Sequence, residues 1–258
     1  MQKENPRKTY IYNAHGHALS GHIKRPLDQL IEVQAGMSLP AIGGHGSSRV
    51  ENFRFNQFVS FKCGHTTVSG SKSEEDGSHT TLVTSAVEGL NVLDVVTADR
   101  LVTRIASNHK LEDAEAKITV LGSKIDNLTI AGCKVHVEFD DELFLRLNTF
   151  EALRKEFESN AGFRKMAGDP FQPGQTPKTI QAHGVMLCSL VKDMKTTCPG
   201  VKRQGHAFDI PEFGRVFVGE VFAQHSKRTV TMLRFELGCP VAGAMSAAQG
   251  VGNGTTWP

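Results

Sequence analysis

The stretch Ser85-Ala86-Val87-Glu88-Gly89-Leu90-Asn91-Val92 decides the fold, because its pattern occurs three times. Ser48-Arg49-Val50-Glu51-Asn52-Phe53-Arg54-Phe55 precedes it by 37 residues, Ser123-Lys124-Ile125-Asp126-Asn127-Leu128-Thr129-Ile130 follows it by 38, and the three align without a gap. Each begins with Ser and places a β-branched residue third, an acid fourth, Asn or Gly fifth, and large apolar residues sixth and eighth. Near-constant spacing of this kind marks a repeated supersecondary unit.

Val87, Leu90 and Val92 change parity across Gly89, as do Val50, Phe53 and Phe55 across Asn52, and Ile125, Leu128 and Ile130 across Asn127. Side chains on a strand alternate faces, so an apolar set that switches phase needs one extra residue, which a bulge or bend supplies. Asn and Gly tolerate that backbone geometry. Asn52, Gly89 and Asn127 are therefore the expected turn positions of the unit. After each window the pattern stays β-like, at Phe58 to Phe61, Val95 to Ile105 and Cys133 to Phe139. The first two copies end in the polar loops SGSKSEEDGSH and SNHKLEDAEA.

Outward from the repeats, TYIYNAHGHALSGHI and LIEVQA read as strands, with a turn near Arg25 and Pro26. Downstream the period becomes helical. Thr149 is a candidate N-cap, Phe150, Leu153 and Phe157 share a face, and Glu151 pairs with Lys155, which predicts a helix near 149–161. Strands are expected again at Ile180 to Val191, His206 to Phe222 and Arg228 to Leu237. The last stretch, 238–258, has no charged residue and many small ones, and reads as an unstructured or partner-dependent tail. The resulting plan is mainly β, with bent-strand sheets built from repeats as a β-sandwich or a solenoid. It has an arm at 1–8, one domain at 9–237 and an uncharged tail at 238–258. Within the domain the copies lie near 48–84, 85–122 and 123–140, and a helix and loop are inserted at 141–179.

Composition bounds the function. With 258 residues, 39% of them hydrophobic and 22% charged, the chain can bury a core of its own. A net charge of +2 gives no broad field to attract nucleic acid or an anionic membrane. No apolar run reaches the roughly 20 residues of a spanning helix. The opening MQKENPRKTY is too polar for the apolar centre of a secretory signal, so the expected location is cytoplasmic or reached by another export route. Five cysteines without a CxxC pair exclude a disulfide scaffold. Cys63 and Cys133 read as small core residues, and Cys198 and Cys239, each before proline, are a conceivable pair in an oxidising compartment.

The block TSAVEGLNVLDVVTADRLVTRIAS followed by GSKIDNLTIAGCKVHV resembles the β-rich repeat region of the choice-of-anchor P proteins, bacterial surface proteins. The matching positions are Gly89, Leu90, Val92, Val96, Ala98 and Asp99, then Asn127, Leu128, Gly132 and Val135, within residues 80 to 140. The resemblance implies an extended β-sheet protein without a known catalytic site. The sequence shows neither a signal nor a wall-sorting tail, which departs from a surface location.

Among chemistry-bearing residues, the eleven histidines stand out. His15 and His17 project from one face of a strand, and with His65 they form the candidate set for a divalent metal ion, although close zinc-type spacing and HExxH are missing. The simpler reading of these imidazoles is a hydrated sheet face. The Gly-rich run 42–48 leads into a strand, so it satisfies no phosphate-binding fingerprint. GxSxG does not occur, and Asp140, Asp141 and Glu142 read as a cap before Leu143 rather than a calcium site.

The sequence thus predicts a non-catalytic structural protein that self-assembles into a filament or other homopolymer, or binds a surface. Its expected partner is a second copy of itself, and no cofactor is required. Val241, Val251 and Trp257 of the uncharged tail are the expected assembly residues, lying along a neighbour's exposed sheet edge. The alternative is a His-rich metal-binding protein or metalloenzyme built on His15, His17 and His65. Carbohydrate binding is a third reading, weakened by the scarcity of aromatic stacking residues.

Overall fold

The computed structural model describes residues 9–166 and 176–257. In chain order the first strands are β1 (Thr9–Tyr12), β2 (His15–Arg25), β3 (Gln29–Gln34), β4 (Met37–Ser38), β5 (Gly44–Phe55), β6 (Val59–Lys72), β7 (His79–Val92) and β8 (Val96–His109). Shorter strands follow: β9 (Lys117–Val120), β10 (Lys124–Asp126), β11 (Thr129–Ile130) and β12 (Cys133–Phe139). Then come α1 (Leu143–Arg146), α2 (Phe150–Ser159), α3 (Ala161–Met166) and α4 (Pro177–His183). The remaining strands are β13 (Val185–Ser189), β14 (Val191–Thr196), β15 (Lys202–Gln204), β16 (Ala207–Ile210), β17 (Gly214–Gln224), β18 (Lys227–Leu237) and β19 (Ala242–Trp257).

They form two antiparallel sheets. The first runs β15-β16-β17-β18-β19-β2-β3, with β1 beside β19, β13 beside β17 and β4 beside β2. The second runs β14-β12-β11-β8-β7-β6-β5, with β9 and β10 also along β8. Facing side chains such as Leu19, Ile23, Val87, Leu101, Ile105, Val230 and Leu233 are wholly buried in one continuous core. The architecture is therefore mainly β, and a sandwich rather than a solenoid.

The three similar windows occupy matching places. Ser48 stands opposite Thr66, Thr66 opposite Ser85, and Ser85 opposite Thr103. Ser123 reaches the same row, its Oγ accepting from the Arg104 amide at 2.9 Å. Four residues on, Asn52, Gly89 and Asn127 all adopt left-handed backbone, with φ of 52°, 64° and 50°. In β7 the buried positions pass from Val83, Ser85 and Val87 to Leu90 and Val92, the phase change expected at Gly89.

The mechanism of the switch differs from an extra residue in one strand. Glu51 faces Cys63 and Phe53 faces Phe61, and likewise Glu88 faces Arg100 and Leu90 faces Ala98, so register is unbroken. Both partners change face together: β8 buries Val96 and Ala98, then Leu101, Thr103 and Ile105. The first sheet uses the same device at Gly219 (φ 59°) and Ala248 (φ 50°), which sequence alone did not reveal. Two hydrogen bonds tie the sheets together there. Ser85 Oγ donates to the His17 carbonyl at 2.6 Å, and the Thr103 hydroxyl donates to the Ala248 carbonyl.

The expected tail is a correction. Residues 242–257 form β19, which lies between β18 and β2 in the middle of the first sheet. Its small residues answer to close packing: a Cβ at Gly250 would stand 3.1 Å from Thr103 Cγ2, and one at Gly252 2.6 Å from Ile105 Cγ2. Met245, Ala247, Ala248 and Val251 are buried there, so this part of the stretch lacks charge because it is packed, not because it is unfolded.

The helix near 149–161 is α2. Thr149 caps it by accepting from the Ala152 amide at 3.1 Å, and Phe150, Leu153 and Phe157 are its buried face. Three further helical segments appear beside it. The strand expected from Ile180 begins only at Val185, because Thr176 and Thr179 form a capping box with Pro177 in the first turn, and Gly184 ends α4 in left-handed conformation. The arm at 1–8 lies outside the described residues, as does much of the loop before α4.

Candidate functional site

The row of left-handed residues leads to a groove on the second sheet. Asn127 Nδ2 donates to Asp99 Oδ2 at 2.7 Å, and the Thr97 and Thr129 hydroxyls share a hydrogen bond of 2.7 Å. Here the sheet forks. The two-residue strand β11 pairs with β8 on one side and with Cys133 and Lys134 of β12 on the other. The Val135 amide then donates to the Leu128 carbonyl at 2.9 Å. Beyond that point β10 stays on β8 while β12 follows β14, and among the described residues no strand fills the space between them.

The groove encloses about 1030 Å³. Ile125, Leu128, Val135 and Val137 supply its apolar lining, with Lys134, His136 and Lys195 among its polar residues. Register explains the grouping, since His136 stands opposite Lys195 and Val135 opposite Thr196. Lys195 Nζ lies 2.8 Å and Arg203 Nη1 2.7 Å from the Asp193 carboxylate, which holds that carboxyl well below its ordinary range. Lys192 pairs with Glu138. Lys134 is exposed and has no ion-pair partner among the described residues. With Lys202 exposed on β15, this flank carries more positive than negative side chains.

Such a fork can accept an extended backbone. Strand edges present unpaired N–H and C=O groups, and a segment laid between two of them gains hydrogen bonds while its side chains meet the apolar floor and basic rim.

The structure does not bring the candidate metal residues together. His15 and His17 lie on β2 of the first sheet, whereas His65 lies on β6 of the second, opposite Arg49 and Ala86. Among the described residues no group of three or more His, Cys, Asp or Glu side chains is arranged to hold a metal ion. His17 Nε2 instead sits 2.9 Å from Ser20 Oγ and 3.1 Å from Ser246 Oγ. Burial, and then neighbouring His15, push the His17 imidazole down to about 4; burial and then Lys227 lower His15. Among the described residues no carboxylate orients His17, so the Ser–His contact lacks the third member that would make a strong general base.

The expected assembly residues also find other roles. Val251 is buried in β19, and Val241 packs half-buried against the core. The Trp257 backbone pairs with Thr9, and its side chain lies outside the described residues. All five cysteines are free. Cys198 is buried, and its thiol is raised first by neighbouring Cys133, which replaces Cys239 as its companion. Lys134 and Lys195 escaped the sequence reading. The alternation of KVHVEF put Lys134 and His136 on one face, but only the pairing of β12 with β14, across more than fifty residues, adds Lys195.

A two-sheet antiparallel β-sandwich, kinked along one row and forked beside it, is the class of molecule these features define. The chain belongs to the family described as a domain of unknown function, DUF8256, whose model matches residues 10–173 and 170–224. No curated protein and no solved structure matches it. Among the described residues no helix is long and apolar enough to cross a membrane.

Proposed function

We propose that the protein is a non-catalytic β-sandwich binding module that takes an extended acidic polypeptide segment into the fork between β10 and β12. One observation carries this reading: two strand edges without partners among the described residues border a groove of about 1030 Å³ that has an apolar floor and a lysine rim. Both earlier forms of the function, assembly with copies of itself and attachment to a surface, are served by such a groove. The three windows are read as copies of one hairpin unit, and the third copy, shortened to β10 and β11, is what leaves the fork. The resemblance of residues 80 to 140 to surface-protein repeats, which implies an extended β-sheet protein without a known catalytic site, accords with a non-catalytic role.

Titration calorimetry with a short glutamate oligopeptide tests the reading. Saturable binding is expected, weakened about 5-fold by Lys134→Glu and further by added salt. No heat at millimolar peptide, or binding indifferent to Lys134→Glu, would overturn it.

A further inference from the structure

The groove reading leaves its natural occupant open, and a second feature of the same sheet answers it. The hairpin between β6 and β7 ends in Ser73-Glu74-Glu75-Asp76-Gly77-Ser78. Asp76 Oδ1 accepts from the Ser78 amide at 3.2 Å and the Ser78 hydroxyl at 2.8 Å, and Lys110 Nζ lies 3.2 Å from its other oxygen. The hydroxyls of Ser78 and then Ser73 hold the Asp76 carboxyl well below its ordinary range. The turn is therefore shaped from within, and its two remaining acids, Glu74 and Glu75, are exposed with no partner among the described residues.

Geometry forbids this tip from filling the groove of its own chain. The tip adjoins His79, which stands opposite His109 at one end of β8, while the groove begins at Thr97 and Asp99 at the other end. Ten residues of strand separate them, roughly 30 Å at the rise of a β-strand. Resting on the binding reading above, we infer that the Glu74–Glu75 tip of one copy docks on the Lys134 and Lys195 rim of the next copy's groove, as a turn and through its two carboxylates rather than as an added strand. An acidic surface on one end and a basic one on the other make a head-to-tail contact, which closes into a ring or continues as a filament. Charge supplies the polarity: two unpaired carboxylates meet an unpaired Lys134, beside Lys195 and His136.

Sedimentation velocity on the full chain tests this with two variants, Glu74→Gln/Glu75→Gln, which neutralises the tip, and Lys134→Glu, which damages the groove. All three positions are exposed, and circular dichroism checks that both variants fold. The wild type is expected to grow beyond a dimer as concentration rises, and each variant alone to sediment as a monomer. Their equimolar mixture retains one intact groove and one intact tip, so it should give a 1:1 dimer and nothing larger. A wild type that stays monomeric, variants that assemble like the wild type, or a mixture that stays monomeric overturns the inference. Calorimetry of the glutamate peptide on the same samples reports separately on the groove reading, which fails if that binding is absent or indifferent to Lys134→Glu.

Discussion

Gly89 holds φ at 64° in the same row where Asn52 and Asn127 hold 52° and 50°, so the position demands left-handed backbone rather than glycine as such. A Cβ there would also stand 2.8 Å from Lys62 Cγ. Gly89→Val is expected to cost about 2 kcal/mol in urea unfolding and Gly89→Asn less than about 1 kcal/mol; equal losses would show that side-chain bulk, not backbone handedness, governs the row. His17 makes a second prediction at this scale. Its folded imidazole titrates near 4 and the unfolded one near 6.5, so the unfolded chain binds more protons between those values. The contribution is complete above 6.5 and is lost as pH falls toward 4, on the order of 3 kcal/mol over the whole window. His79, lowered by burial and then by Lys72 and His109, acts in the same direction. Urea midpoints should therefore drop between about pH 7.5 and about pH 4.5, and His17→Asn should lessen that drop. An unchanged slope in the variant would remove His17 from the account.

At the scale of elements, β19 is the test. Deleting residues 238–258 removes the strand between β18 and β2, and the truncated chain is expected to lose its cooperative urea transition. A truncated protein that unfolds like the full chain would restore the dispensable tail. Gly252→Val, which forces a side chain against Ile105, should cost about 2 kcal/mol. The windows around Gly89 and the α2 segment were legible because their signals are local: parity changes at Asn52, Gly89 and Asn127, and a cap with i, i+3, i+7 spacing at Thr149, Phe150, Leu153 and Phe157. β19 was not legible because Gly, Ala and Ser write the same signal for disorder and for a strand pressed between neighbours; only Thr103 and Ile105 from the other sheet distinguish them. The α4 segment is helical where a strand was expected from Ile180, because the Thr176 capping box and Pro177 start a helix that Gly184 ends. The groove was half legible: Asn127 and Asp99 stood out, while Lys195 arrives only through tertiary pairing.

At the scale of the molecule, the two sheets share one device, a row of left-handed residues on alternate strands, and hydroxyls of Ser85 and Thr103 link the sheets along it. That row fixes where the second sheet turns, and the shortened third copy leaves the sheet open there. Opening and basic flank coincide at the same place, and this coincidence is the core of the functional reading. Backbone amide exchange, followed residue by residue with and without the glutamate oligopeptide, tests it most directly. Slowed exchange confined to residues 124–126 of β10 and Val137 of β12, lessened by Lys134→Glu at the same subsaturating peptide concentration, is the predicted footprint. Protection spread evenly over the sheets, or falling on the β3 and β5 edges instead, would contradict it.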